Sequence, residues 1–190
     1  GNNLMMASVM DKKIKVRTLL EKWAIVYFAN FIGSIFLVTV IYFSGLWKTG
    51  DFGIGVKAVS IANAKVSLSF YEALFRGIGC NWLVCLAVWM AASSRQIAGK
   101  IFAIFFPITA FVALGFEHCI ANMYFIPLGL FLKSTAVVSK LSIDVSNLTW
   151  GNFIIRNLIP VTIGNIIGGA FFVGVLYWVV FLSPKLRINT

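Results

Sequence analysis

At 190 residues, 60% hydrophobic and only 12% charged, the chain carries about half the charge of an ordinary soluble domain. It could not cover a water-facing surface with polar groups, which excludes a soluble globular protein; a lipid-facing protein needs no such cover. The net charge of +10 gathers at Lys12, Lys13, Lys15, Arg17 and Lys22 and otherwise flanks apolar runs, a membrane-protein pattern rather than a nucleic-acid-binding one.

In chain order, residues 1–10 read as a short half-helix. Residues 24–47 are almost uncharged and end at Trp47-Lys48, long enough for the roughly 20 residues that cross a bilayer. Residues 67–92 read as a second long helix, with Glu72 and Arg76 on a protein-facing or interfacial side. Residues 101–132 are long for one span and hold Gly115, Glu117, His118, Asn122 and Pro127 near their middle, so they read as a broken helix. Residues 153–182 form the last run, before Ser183-Pro184 and a basic tail. The loops are then 11–22, 48–66, 93–100 and 133–152, and residues 1–190 form a single transmembrane domain. One face holds loops 11–22 and 93–100 and the tail, with their short basic segments. The positive-inside rule makes that face, and the C-terminus, cytoplasmic.

Asn30 to Phe43 reads NFIGSIFLVTVIYF and Asn165 to Trp178 reads NIIGGAFFVGVLYW, identical at seven of fourteen positions. Counting faces, the two helices run in opposite directions, the mark of an inverted repeat. The second copy is helix, broken helix, helix. The first copy then lacks its first helix and the first half of its broken helix, so the chain reads as the C-terminal three quarters of a longer protein.

Cys80, Cys85 and Cys119 lie inside apolar runs and read as small buried hydrophobes, not a disulfide framework. With one histidine and no Cys-x-x-Cys pair, no metal site and no cofactor are expected. No phosphate loop, carboxylate pair or activated nucleophile supports an enzyme. His118 is expected to be buried at mid-membrane beside Glu117 and Asn122, where ionisable groups are costly and face a cavity or each other. Gly115 marks a break, and broken backbone is tolerated only where it lines a cavity or is buried in protein. Asn81, alone in an apolar run, needs a polar partner. Lys65 reads, on the residues alone, as an ordinary flanking lysine. Gly164, Gly168, Gly169 and Gly174 allow close helix approach.

Three segments resemble motifs of the formate/nitrite transporter family: Gly79-Cys80-Asn81-Trp82-Leu83-Val84-Cys85, Gly115-Phe116-Glu117-His118-Cys119-Ile120-Ala121-Asn122-Met123, and Asn157-Leu158-Ile159-Pro160-Val161-Thr162-Ile163-Gly164-Asn165. The resemblance spans nearly the whole chain. It implies an aquaporin-like, all-α integral membrane fold with broken helices at the midplane, and a pore in each subunit of a homopentamer. It also implies a channel for small monovalent anions (formate, nitrite or hydrosulfide) in the cytoplasmic membrane of a prokaryote. By motif, His118 would be the central pore histidine with Asn81 near it, and Glu117 and Asn122 would support the break. Phe111 would form one hydrophobic constriction, and Leu4 and Met5 the other. Lys65 would be the vestibule lysine that attracts anions. Met6 departs from the pattern: the family usually carries a threonine there, able to hydrogen-bond towards the histidine. The alternative, a neutral-solute pore of the aquaporin type, normally carries paired Asn-Pro-Ala motifs, and this sequence has none.

Overall fold

The computed structural model describes residues 2–183. Gly1 and the basic tail 184–190, on which the cytoplasmic placement of the C-terminus partly rests, lie outside the described residues. All regular structure among the described residues is helical. A 3-10 turn, Asn2–Leu4, leads into the half-helix α1, Met5–Met10. Then follow α2 (Val16–Ser44), α3 (Gly53–Val66), α4 (Phe70–Ser93), α5 (Ile97–Ala113), α6 (Cys119–Leu132) and the long α7 (Trp150–Leu182). Three of these, α2, α4 and α7, are long and apolar enough to cross a membrane. The 17 residues of α5 and 14 of α6 each fall short of the roughly 20 that a span needs.

Two boundaries differ from the hydropathy reading for clear reasons. Residues 48–66, expected as a loop because of their lysines, serine and asparagine, contain the 14-residue α3. Its buried residues Gly55, Val59, Ala62 and Val66 recur at i, i+4, i+7 and i+11, one helical stripe. Helix α2 starts at Val16, not residue 24, because Arg17 and Lys22 are tolerated at an exposed helix end where long cations reach water. It stops at Ser44, since Gly45 adopts a left-handed φ of 73°. Trp47 then folds back, its ring stacked 6.0 Å from Tyr42 and its Nε1 donating to the Tyr42 carbonyl at 2.9 Å.

The exterior is apolar. Phe28, Ile32 and Phe36, a turn apart on α2, are 65–69% exposed, and α5 has no buried residue at all. Water would penalise such a surface; hydrocarbon does not, and the chain is a membrane protein.

Two compact units are present. Among the described residues, one comprises 2–25, 74–118 and 162–183. Within it α7 lies directly on the backbone of α4. A Cβ on Gly164 would stand 2.2 Å from the Leu74 carbonyl oxygen, and one on Gly168 would stand 2.1 Å from that of Ile78. Farther along, Trp82 stacks on Phe172 with centroids 4.9 Å apart, and Trp89 meets Tyr177 edge-on at 5.3 Å. The other unit comprises residues 26–73 and 119–161. Its core holds Val59, Ala62 and Val66 of α3 with Met123, Ile126 and Leu132 of α6, and a Cβ on Gly129 would meet that of Ala62 at 2.3 Å.

Helix α7 is not uniformly α-helical: Phe153–Leu158, Ile167–Val175 and Trp178–Leu182 are π-helical. Pro160 lacks the N–H that would bond the Arg156 carbonyl four residues back, and the first π turn lies just before it.

The glycine contacts set a test. Gly168→Val forces a side chain into backbone, and we expect it to destabilise the folded protein by about 1–3 kcal/mol or more, read as a lowered melting temperature in detergent. Gly151→Ala, whose Cβ meets nothing closer than Thr149 Oγ1 at 3.9 Å, should leave melting unchanged or raise it slightly, since alanine favours helix over glycine.

Candidate functional site

The break between α5 and α6 is built from the chain outward. Helix α5 ends on a paired cap: Gly115, at φ +66°, donates to the Val112 carbonyl at 3.1 Å, and Phe116 donates to that of Phe111 at 3.0 Å. These 5→2 and 6→1 bonds define a Schellman motif, which satisfies the last carbonyls of the helix. Gly79 of α4 makes room for Phe116, whose ring carbon lies 2.5 Å from where a Cβ would be. Glu117 is buried, and its N–H donates to the Arg76 carbonyl at 3.3 Å. His118 follows immediately, one residue before α6 begins, with its ring centroid 6.2 Å from that of Phe111. The histidine is half-buried rather than enclosed, because it occupies the break itself and not the packed face of a helix.

Asn165 holds this region together. Its Nδ2 donates to the carbonyls of Gly77 at 2.8 Å and Glu117 at 2.9 Å. Its own backbone carbonyl accepts from Asn81 Nδ2 at 2.9 Å and from Asn3 Nδ2 at 3.0 Å. The π-helical stretch Ile167–Val175 starts two residues later, and such local widenings of a helix recur at functional positions. Leu4, Met5 and Met6 are half-buried at the start of α1, and Met6 Cβ lies 3.0 Å from where a Cβ on Gly174 would stand. The first unit thus holds His118, Phe111, Glu117, Asn81, Leu4, Met5 and Met6; the ring contact pairs His118 with Phe111, and Asn165 links Glu117 with Asn81.

The other two expected site residues, Lys65 and Asn122, belong to the second unit, where they form one buried chain. Asn122 Nδ2 donates to Asn157 Oδ1 at 2.7 Å, and Asn157 Nδ2 donates to the Lys65 carbonyl at 2.9 Å. Both asparagines have no exposed surface. Lys65 occupies the last turn of α3, where a cation suits the helix dipole. Its Nζ lies 5.7 Å from the centre of the Phe125 ring, within cation–π range. Phe125 also lines a hollow of about 380 Å³ with Ile54, Lys57, Ala58, Ile61 and Leu128.

Asn3, Asn157 and Asn165 hold the hydrogen bonds of these two regions, and reading by residue type missed them. Asn165 lies in an apolar run, the signal that singled out Asn81, whereas Asn3 follows Asn2 and Asn157 follows Arg156. The repeat pointed at Asn165 but not at its partners: its counterpart Asn30 turns back on its own helix, Nδ2 to the Val26 carbonyl at 2.8 Å. Among the described residues no group of three or more His, Cys, Asp or Glu could hold a metal.

The family model described as "Formate/nitrite transporter" matches residues 1–179. A "Probable formate transporter" of Methanothermobacter thermautotrophicus is 39% identical over 96% of this chain and 67% of its own length. "Formate channel FocA" of Escherichia coli K12 is 43% identical over 88% of this chain and 61% of its own. A solved structure, "Pentameric formate channel with formate bound", superposes with a TM-score of 0.82 at 39% identity, covering 90% of this chain and 69% of that one. The chain therefore spans about two-thirds or less of the length of these curated relatives.

The amide chain of the second unit yields a double-mutant test. Asn122→Leu removes the amide that donates to Asn157 Oδ1, and Asn157→Leu removes the oxygen that accepts from Asn122 Nδ2. The double variant should lose less stability than the two singles summed, by about 1 kcal/mol, as read from unfolding in detergent. Strict additivity would mean that the bond contributes nothing.

Proposed function

The chain belongs to the formate/nitrite transporter family, and from that premise we propose that it forms a channel that carries small monovalent weak-acid anions, formate foremost, across a membrane. The observation that carries the reading is His118 at the break, beside the Phe111 ring, in a unit that also holds Leu4 and Met5. The relatives that are formate channels favour formate, and the pentameric solved relative supports a homopentamer; a pore in each subunit is our reading. The cytoplasmic membrane, with the C-terminus inside, is our placement. It rests on the basic residues before and at the start of α2, Lys12 to Lys22, and of α5, Arg95 and Lys100.

The mechanism follows from charge and dielectric. Lys65 and the exposed Lys57 raise the local anion concentration. The apolar side chains of Leu4, Met5 and Phe111 oppose a bare charge, since an unpaired ion is costly to bury. Protonated His118 gives its proton to the carboxylate. The products are neutral imidazole and neutral acid, which crosses apolar surface far more easily. On the far side the acid gives its proton to water, and the imidazole takes a new proton from water on the entry side, so one proton crosses with each anion. Asn81 and the backbone around the break supply the hydrogen bonds that orient the exchange. Met6, where the family usually has threonine, removes one donor from this neighbourhood and limits the hydrogen bonds an anion finds there. Nitrite and hydrosulfide have the same charge and are also bases, so they fit the same proton exchange.

Two measurements check this. In proteoliposomes, His118→Phe should abolish the pH dependence of formate uptake; an unchanged rate and pH profile would sink the proton-exchange role. Running nitrite and hydrosulfide in the same assay ranks the substrates. Lys65→Gln should slow uptake at low ionic strength. The deficit should shrink as salt rises and the Debye length falls to about 8 Å at physiological strength.

A further inference from the structure

The six-residue α1 cannot hold its own place, since isolated helices shorter than about 12–15 residues are marginal even in water. Its position must come from bonds to the rest of the unit. At its far end the Trp178 indole donates to Asp11. At its near end Trp23 Nε1 donates to the Asn2 carbonyl at 3.0 Å, and Asn3 Nδ2 donates to the Asn165 carbonyl at 3.0 Å. The last bond differs in kind. Its acceptor is the carbonyl that also takes Asn81, on the residue whose side chain ties Gly77 and the break at Glu117. Asn3 reaches that carbonyl only because residue 169 is glycine: a Cβ there would lie 2.2 Å from Asn3 Nδ2 and 2.9 Å from Asn3 Cβ. Leu4 and Met5 follow Asn3 directly, so the bond fixes where their side chains start.

We propose that Asn3 is a specificity-positioning residue. Through the Asn165 carbonyl it locks the Leu4–Met5 end of α1 to the same node that holds Asn81 and the histidine break, and Gly169 is the clearance that permits the lock. The assignment rests on the reading above, in which Leu4 and Met5 line the permeation path. An aperture that separates formate from an anion one methyl larger must hold its width to a fraction of a carbon radius. A half-helix held at that end by the Trp23–Asn2 bond alone keeps it less tightly.

The test measures formate and acetate fluxes through purified protein in the same proteoliposomes, at several pH values. Asn3→Leu keeps the shape and removes the donor; Gly169→Ala displaces Asn3 from the other side. Both should raise the acetate-to-formate flux ratio roughly fivefold, the scale of one lost hydrogen bond, with the pH profile of formate uptake unchanged. The double variant should go no further than either single one, because both remove one bond. If Asn3→Leu fails to fold, Asn3→Asp keeps the size, loses the same donor at neutral pH and carries the same expectation. An unchanged ratio in folded variants, or a double variant whose effects simply add, overturns the lock. Absence of any anion flux through the unmutated protein would overturn the permeation reading itself, and the assignment with it.

Discussion

Hydrocarbon offers no hydrogen bonds, so every backbone group released by a broken helix must be met by the protein itself. The break at residues 114–118 is the point where this chain breaks the rule of continuous helix, and its surroundings answer that need group by group. The Schellman pair closes α5, the Arg76 carbonyl takes the N–H of Glu117, and Asn165 takes its carbonyl. With those groups satisfied, a histidine can stand in the gap with its ring 6.2 Å from that of Phe111. The candidate chemistry of His118 therefore depends on an asparagine 47 positions later in the sequence.

Asparagine serves this purpose repeatedly. It is short, uncharged and carries both a donor and an acceptor, so it can bridge two backbones without the cost of burying a charge. Asn165, Asn81 and Asn3 meet at one carbonyl in the first unit, while Asn122 and Asn157 reach the Lys65 carbonyl in the second. In the second unit the chain of amides ends on the Lys65 carbonyl, while the lysine's own ammonium lies over the Phe125 ring.

What was legible follows from what each signal measures. Hydropathy reports contact with lipid, so the long apolar helices, the all-helical membrane class and the interruption around Gly115 could be read directly. It underreports helices that pack on protein. Helix α3, with Lys57, Ser60, Asn63 and Lys65 among small apolar residues, looked like a loop until its Gly55–Val59–Ala62–Val66 stripe was set against α6. The motif resemblance identified the family, which the match over residues 1–179 bears out. The partners of Asn165 were illegible because they are backbone carbonyls, and no residue type marks a carbonyl. Gly169 was legible as a small residue for close approach, but not as the clearance for a particular asparagine, since that depends on Asn3 arriving from the opposite end of the chain.

The approach of α7 to α4 has a consequence for how these helices can vary. Gly164 and Gly168 press against main-chain atoms of Leu74, Gly77, Ile78 and Trp82, not against their side chains. Main-chain atoms are the same whatever residue carries them. The interface is therefore blind to the identity of α4 at Leu74 and Ile78 while being intolerant of any change on its own side. Farther along the same two helices the contact is of the opposite kind, with Trp82 on Phe172 and Trp89 against Tyr177, so both partners must be kept there. Only around the two glycines can Leu74 and Ile78 change without renegotiating the contact.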